Sequence, residues 1–208
     1  MTWVPTVSGK IVDLVDPDPQ TIDFKDIVIH LSNANRFAGA SYINISVAQH
    51  SLIVAGIVPR EVKPWALLHD AHEAYMGDII APVPRALGEI AARRARRQGH
   101  ENVSLIRKII PAYIDELKHG LDKAIYQAAG LPLPDDRQRE IIRQADLIAL
   151  RTECRDFLTK CGKSWGRRIE AVKPLTRKIK WQHPLDVADD LFNQIQAHCP
   201  ALKQSGEY

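Results

Sequence analysis

The sequence contains little cysteine and no long apolar run. Its three cysteines, Cys154, Cys161 and Cys199, form no CxxC pair, which disfavours both a disulfide framework and a thiolate zinc site. No apolar run approaches the roughly 18 residues that a membrane span requires, and the chain does not begin with a charged segment followed by an apolar one. We therefore expect a cytoplasmic protein with reduced thiols.

Aromatic residues and net charge are also modest. Aromatic residues make up 6% of the chain, and the formal net charge is +3. Nucleic-acid-binding domains usually have a pI above about 9 with basic residues clustered on one face. The charge therefore permits an anionic small-molecule substrate and gives no reason to expect nucleic acid or a membrane as partner. With 45% apolar residues in 208, the chain can bury the core of one globular domain.

The apolar periodicity predicts an all-α fold. Apolar residues recur at intervals of three and four over most of the chain, and turn residues separate these runs. Residues 1–19 differ, because two β-prone stretches around Ser8-Gly9 predict a β-hairpin or an extended arm. No repeat or long linker divides the chain. We expect one domain over residues 1–208, with its core at about 23–158 and a C-terminal extension, 159–208, packed on that core.

The stretch Trp65–Asp78, WALLHDAHEAYMGD, concentrates ionisable residues within an apolar run. Its spacing predicts one helix in which Glu73 shares a face with His69 and Asp70. The apolar neighbours direct that face to the core, where buried charge needs a partner. A metal ion is a common partner for a histidine beside a carboxylate. His72 is expected next to this site and not in it.

Two more polar residues interrupt apolar helical patterns. His50 follows a capping signal, SVAQ, and Asp146 lies within the apolar series of a long helix. Taken alone, His50 would more often be an ordinary histidine, and Asp146 would pair with Arg143 or Arg151. Three neighbouring helices can nevertheless aim these two residues and the His-Asp pair at one point. Two imidazoles and two carboxylates suit a divalent Mn, Fe, Co, Ni or Zn ion.

The order of these motifs resembles that of the HD-domain metal-dependent phosphohydrolases. The His in VAQHS, the His-Asp in LLHDAHEAYMGD and the Asp in RQADLIAL follow the H…HD…D signature over roughly residues 23–158. Within this superfamily the chain is similar to the small 5'-deoxynucleotidases and the phage deoxyadenosine triphosphate triphosphohydrolases. Those proteins share an Arg-aromatic pair before the first His and an EAYxGD continuation. Arg36-Phe37 and Glu73–Asp78 match, with Phe37 where the relatives have Trp.

The resemblance implies a role for each matched residue and an HD-domain helical bundle as the fold. The implied ligands of the divalent ion are His50, His69, Asp70 and Asp146, with Mg²⁺ an alternative ion at the phosphates. Glu73 would orient the attacking water or move a proton, and Asp78 would be a second acid or base, or an anchor for sugar hydroxyls. The implied substrate contacts are Arg36 as a phosphate fork, Phe37 as a stacking ring, Pro82 as a limit of the base pocket and Arg85 as a second phosphate clamp.

The implied activity is cleavage of a nucleotide at the α-phosphorus with release of the nucleoside. A 5'-deoxynucleotidase is the first expectation, and a dATP triphosphohydrolase that releases triphosphate is the alternative. A regulatory HD module that binds a nucleotide without hydrolysing it is a second alternative. A nucleic-acid surface on the arginine-rich helix at residues 93–97 is a third. The resemblance also favours a homo-oligomer.

Overall fold

The computed structural model describes residues 1–203. Apart from one short antiparallel hairpin at the N-terminus, its regular elements are helices, so the all-α prediction with a hairpin is confirmed. In chain order the elements are β1 (Trp3–Pro5), β2 (Ile11–Asp13), α1 (Phe24–Asn33), α2 (Val47–Ile57), α3 (Lys63–Leu68), α4 (Glu73–Met76), α5 (Pro82–Arg97), α6 (Val103–Ala128), α7 (Asp136–Phe157), α8 (Arg167–Ala171), α9 (Pro184–His198) and α10 (Pro200–Lys203). Within the described range, none of these helices has the length and apolarity to cross a bilayer.

The main core lies between the helices near the two ends of the chain. α9 packs against α1, α2 and α3. Ile27, Leu31, Leu67 and Leu191, which these helices contribute, are each at most 1% exposed. Residues from the predicted C-terminal extension and from the predicted core therefore share one apolar interior.

Side chains cap the N-termini of several helices. Asp23 caps α1, Ser46 caps α2, and Asp135 caps α7 by accepting a hydrogen bond from the N–H of Gln138. Gln49 does not complete a capping box with Ser46, because its amide instead donates to the carbonyl of Lys180 at 2.7 Å. This bond ties α2 to the segment that precedes α9.

The N-terminal hairpin is fastened to α1 by the buried carboxylate of Asp26. β1 and β2 pair with Trp3 opposite Asp13. At the hairpin turn, Asp26 accepts hydrogen bonds from the N–H of Ser8 at 2.9 Å and from its hydroxyl at 2.6 Å. The hairpin buries Val12 completely, so it is part of the folded unit.

Replacing Asp26 with asparagine is expected to lower the free energy of unfolding by about 2 kcal/mol at neutral pH. Burial alone would raise the pKa of Asp26, but the hydrogen bonds from Ser8 lower it below its ordinary value of 3.8. A group with a lowered folded-state pKa stabilises the fold above its unfolded pKa, and this contribution is lost as the pH falls through the folded pKa. Urea unfolding at pH 7 and in acid measures both effects.

The exposed Asp16, also near the hairpin, provides the control. Asp16→Asn should leave the unfolding free energy within about 0.5 kcal/mol of the wild type at both pH values. An Asp26→Asn protein that lost as much stability in acid as at neutral pH would contradict a role for the ionised carboxylate.

Prolines occur in both α5 and α6. α5 begins at Pro82, and Pro82 and Pro84 occupy its first turn, where a missing N–H is tolerated. α6 continues through Pro111 as one helix. The two helices approach closely at the buried Gly88.

Replacing Gly88 with alanine is expected to lower the unfolding free energy by about 1–3 kcal/mol, because the added methyl overpacks this approach. A Cβ on Gly88 would lie 2.2 Å from the backbone oxygen of Arg107. Gly120 in α6 is the matched control, since its nearest new neighbour would be Pro17 Cδ at 4.0 Å. Gly120→Ala should stabilise the protein by about 0.5–1 kcal/mol. Equal unfolding midpoints for the two variants would contradict close packing at Gly88.

Candidate metal centre

The His-Asp pair lies on a tight turn between α3 and α4. The prediction of one helix through this stretch is therefore wrong at residues 69–72. Ala71 N donates to the carbonyl of Leu68 and Glu73 N to that of Asp70, both at 3.0 Å. These bonds span three residues instead of four, which winds the chain more tightly and aligns residues i and i+3. Asp70 and Glu73 consequently share a face.

The structure brings the four predicted metal ligands together. α2 contributes His50, α7 contributes Asp146, and the turn contributes His69 and Asp70. His50 Nε2 lies 3.1 Å from Asp146 Oδ1 and 3.6 Å from Asp70 Oδ2. His69 Nε2 lies 3.1 Å from Asp70 Oδ2. Ligand atoms of His50, His69 and Asp146 all lie within 4.8 Å of one another, so these residues can hold a metal ion.

The imidazoles of His50 and His69 both direct Nε2 towards the cluster, because Nδ1 on the other side of each ring makes a hydrogen bond. His50 Nδ1 donates to Glu153 Oε1 at 2.7 Å, and His69 Nδ1 donates to the carbonyl of Ala66 at 2.8 Å. Each bond fixes the ring and leaves a lone pair on Nε2, as is usual for histidines that bind metals. Both Nε2 atoms are buried without a hydrogen-bond partner. The donor set therefore fits a divalent cation.

Glu153 was not predicted, yet it joins two residues of the site. It is fully buried. One of its oxygens binds His50, and the other accepts a hydrogen bond from Arg36 Nε at 3.0 Å. Glu153 follows Asp146 by seven residues, two turns along α7, so a search for further acids on the helical face of Asp146 would have found it.

Arg36 and Phe37 occupy a short 3-10 turn after α1. Phe37 has φ +58°, which is unusual for an aromatic residue. Arg36 is buried, and its Nη1 lies 3.9 Å from Asp70 Oδ2, so it links Glu153 with Asp70. The Arg36 guanidinium lies over the Phe37 ring, with Cζ 5.5 Å from the ring centroid. The phosphate-binding role of Arg36 and the stacking role of Phe37 stay predictions.

Glu73 and Asp78, the predicted catalytic carboxyls, both respond to the charge of Asp70. Burial together with Asp70 and Asp78 raises the pKa of Glu73 to about 9. Burial also raises the pKa of Asp78, against the opposing effect of Arg36. Glu73 Oε2 is buried and has no hydrogen-bond partner. Glu73 thus places a carboxyl group that can carry a proton at neutral pH close to the cluster.

Surplus negative charge surrounds the imidazole of His50. Burial and Arg36 would lower the pKa of His50, but Glu153 and Asp146 raise it to about 10. Burial would raise the pKa of Asp146, whereas His50 lowers it. A proton and a metal ion compete for the same nitrogen lone pair, so carboxylates that favour one also favour the other.

A cavity of about 390 Å³ opens onto the cluster at His69 and Asp146. Its wall also includes the ring of Tyr126 and the cationic side chains of Arg139 and Arg143. The wall also contains the carboxylates of Asp122 and Asp146, and a cavity of this size can hold a small molecule. A larger cavity, of about 580 Å³, is lined by none of the predicted site residues.

The remaining predicted substrate residues lie in the first turn of α5. Pro82 and Arg85 are both exposed, and their roles at the base and the phosphate stay predictions. Lys118 on α6 is a cation that was not predicted. It lowers the pKa values of Glu73 and Asp78, against the raising effect of burial on both, so its charge acts on this side of the site.

Two bacterial proteins are similar to this chain over most of its length. The uncharacterized protein YfdR of Escherichia coli strain K12 is 33% identical over 167 residues, which cover 79% of this chain and 78% of YfdR. The uncharacterized protein RCAP_rcc00048 of Rhodobacter capsulatus is 33% identical over 162 residues, which cover 73% of this chain and 70% of that protein. No protein-family model matches the chain.

Proposed function

This chain belongs to the family of the YfdR protein of Escherichia coli, and we propose that it is an HD-domain phosphohydrolase that uses a divalent metal ion to hydrolyse nucleotides. The observation that carries the proposal is the convergence of four candidate ligands, of which His50 is buried and His69, Asp70 and Asp146 are half-buried. Two Nε2 atoms without hydrogen-bond partners face the carboxylates of Asp70 and Asp146 at 3.1–3.6 Å. The order of these residues along the chain is that of the H…HD…D signature.

The proposed ligands are His50, His69, Asp70 and Asp146, and their nitrogen and oxygen donors suit Mn, Fe, Co, Ni or Zn, with Mg²⁺ an alternative at the phosphates. A divalent ion at such a site polarises a phosphoryl oxygen and lowers the pKa of a nearby water. The chain itself supplies the proton transfers. Glu73, one turn from Asp70, orients the water and moves its proton, and Asp78 is a second acid or base.

Arg36 and Glu153 act as positioning residues in this proposal. Arg36 Nε and His50 Nδ1 both donate to Glu153, and Arg36 also faces Asp70. These contacts hold the His50 imidazole and the Asp70 carboxylate of the ligand set in position. A site held by such a rigid second layer needs little reorganisation when substrate arrives.

The proposed substrate is a deoxynucleoside 5'-monophosphate, attacked at its α-phosphorus to release the nucleoside and phosphate. The cavity beside His69 and Asp146 supports a ligand of this size, and Lys118 adds positive charge on the side of Glu73. A dATP triphosphohydrolase is the alternative, because the same attack would release triphosphate. The additional negative charge of a triphosphate would be bound by Arg139 and Arg143. In the structure, Arg139 pairs with Asp136 and Arg143 pairs with Glu140. We also propose that the protein acts in the cytoplasm and forms a homo-oligomer.

The test is a panel of all deoxynucleoside mono- and triphosphates incubated with the protein and Mn²⁺, Co²⁺, Zn²⁺ or Mg²⁺. Products are identified by chromatography in ¹⁸O-labelled water. We expect nucleoside and singly labelled phosphate from monophosphates. Asp146→Asn should abolish the reaction, whereas Asp189→Asn, at an exposed position on α9, should not.

Other outcomes of this panel separate the alternatives. Nucleoside with labelled triphosphate from one base would select the triphosphohydrolase. Tight nucleotide binding in calorimetry without any product would favour the regulatory module and overturn the catalytic proposal. Label in the nucleoside would contradict attack at phosphorus.

A further inference from the structure

A second group of ligand atoms contains Asp70, whose Oδ2 also lies 3.6 Å and 3.1 Å from the Nε2 atoms of His50 and His69 in the first group. One oxygen of Asp70, one oxygen of Glu73 and one ring nitrogen of His72 all lie within 4.8 Å of one another. Ligand atoms bound to one ion at about 2.1 Å lie roughly 3–4 Å apart. Small side-chain adjustments would therefore close this group around a cation. His72 was predicted to lie next to the site, and the structure places it within this second group.

His72 is held in the same way as the two histidines of the first group. It is 4% exposed, and its Nδ1 donates to Asp122 Oδ1 on α6 at 2.8 Å. Its Nε2 is buried without a hydrogen-bond partner. The bond to Asp122 fixes the ring and leaves the Nε2 lone pair available as a ligand.

Glu73 supplies an independent observation. It is 6% exposed, and its Oε2 is also buried without a hydrogen-bond partner. An ion pair between His72 and Asp122 that only joined the turn to α6 would use Nδ1 alone. Such an ion pair would not explain why His72 Nε2 and Glu73 Oε2 are both buried without hydrogen-bond partners, since buried polar atoms normally have them.

We propose that Asp70, His72 and Glu73 bind a second divalent cation. The proposal rests on the proposed function through Asp70, which becomes a ligand shared with the first ion. One nitrogen and two carboxylates suit Mn²⁺, Fe²⁺ or Zn²⁺. Paired metal sites of this kind clamp both the attacking and the leaving oxygen in phosphoryl transfer. One Glu73 oxygen binds the cation, and the other remains available to orient water.

The test is a Mn²⁺ titration of the metal-free full-length protein, followed by elemental analysis and electron paramagnetic resonance. We expect two Mn²⁺ per chain and a spin-coupled signal from adjacent ions. His72→Gln should bind one Mn²⁺ with an uncoupled signal. Asp122→Asn should lower the affinity for the second Mn²⁺ about 10- to 100-fold, because the His72 ring is no longer fixed by Asp122.

The matched control is His30→Gln. The half-buried His30 also makes a hydrogen bond at this part of the chain, to the carbonyl of Ala74 at 2.7 Å, but it belongs to neither ligand group. This variant should keep both ions. Circular dichroism checks that each variant is folded, and Asp122→Asn provides the answer if His72→Gln does not fold.

The titration separates failure of this inference from failure of the proposed function. One Mn²⁺ per chain in the wild type, unchanged in His72→Gln, would overturn the second site and leave the first. Two ions that both persist in His72→Gln would also overturn it. No bound Mn²⁺ in the wild type would contradict both proposals.

Discussion

Replacing Asp70 with asparagine is expected to reduce phosphate release from nucleotides by about 1,000-fold or more. Asp70 Oδ2 lies 3.1 Å from His69 Nε2 and 3.6 Å from His50 Nε2, close to both imidazoles of the proposed ligand set. Asparagine keeps the shape of the side chain but removes the charge. Its amide can also donate to an Nε2 atom and occupy the lone pair that a cation would use.

The Asp70→Asn protein should also lose its response to metal. A ligand that binds only the folded state at 100 times its Kd adds about 2.7 kcal/mol of stability, so Mn²⁺ should raise the Tm of the wild type. The same addition should leave the Tm of Asp70→Asn nearly unchanged, whereas Asp189→Asn should respond as the wild type does. A variant at position 70 that kept both the Mn²⁺ response and full activity would exclude this carboxylate as a ligand.

Replacing Glu153 with alanine is expected to lower the free energy of unfolding by about 3–5 kcal/mol, the largest stability effect that we anticipate. The change leaves the buried Arg36 guanidinium without its partner at 3.0 Å and removes the acceptor of His50 Nδ1. Burial would lower the pKa of Arg36, but Glu153 and Asp70 raise it in the wild type. Without Glu153 the guanidinium still stays charged, because arginine is not deprotonated in proteins. An uncompensated buried charge is the source of the loss.

A double variant separates the charge from the packing. Arg36→Met with Glu153→Leu removes both charges and keeps apolar volume, so its stability should exceed that of Glu153→Ala by at least about 2 kcal/mol. The coupling energy follows from urea unfolding of four proteins: the wild type, Arg36→Met, Glu153→Leu and the double variant. A loss below about 1 kcal/mol for Glu153→Ala would contradict a buried ion pair at this position.

The convergence of the four ligands was predictable, because each interrupts an apolar helical pattern that faces the core. His50 and Asp146 stand at such positions in α2 and α7, and the helix periodicity directs them inward. The HD order then selects the partners. The structure places the Nε2 atoms of His50 and His69 3.1–3.6 Å from carboxylate oxygens of Asp70 and Asp146, although no sequence pattern states an angle between helices.

Other features depend on tertiary contacts that no local pattern encodes. The helical face of Asp146 points to Glu153, but this acid stands among polar residues in RTECRD, and only its partners on α2 and in the turn after α1 show why it is buried. A tight turn replaces the regular helix at His69, although no glycine or proline in LLHDAHEA marks it. Arg36 points inward from a turn with positive φ at Phe37, a backbone state that the residue types there do not favour.

The central claim is that His50, His69, Asp70 and Asp146 hold the divalent ion on which the proposed phosphoester hydrolysis depends. The most direct measurement is phosphate release from deoxynucleoside monophosphates by one preparation before chelation, after removal of metal and after addition of Mn²⁺. We predict that activity disappears with the metal, returns with Mn²⁺ in the wild type and does not return in Asp146→Asn. Hydrolysis that survives chelation, or a metal-replete protein inactive on every nucleotide, would contradict the claim.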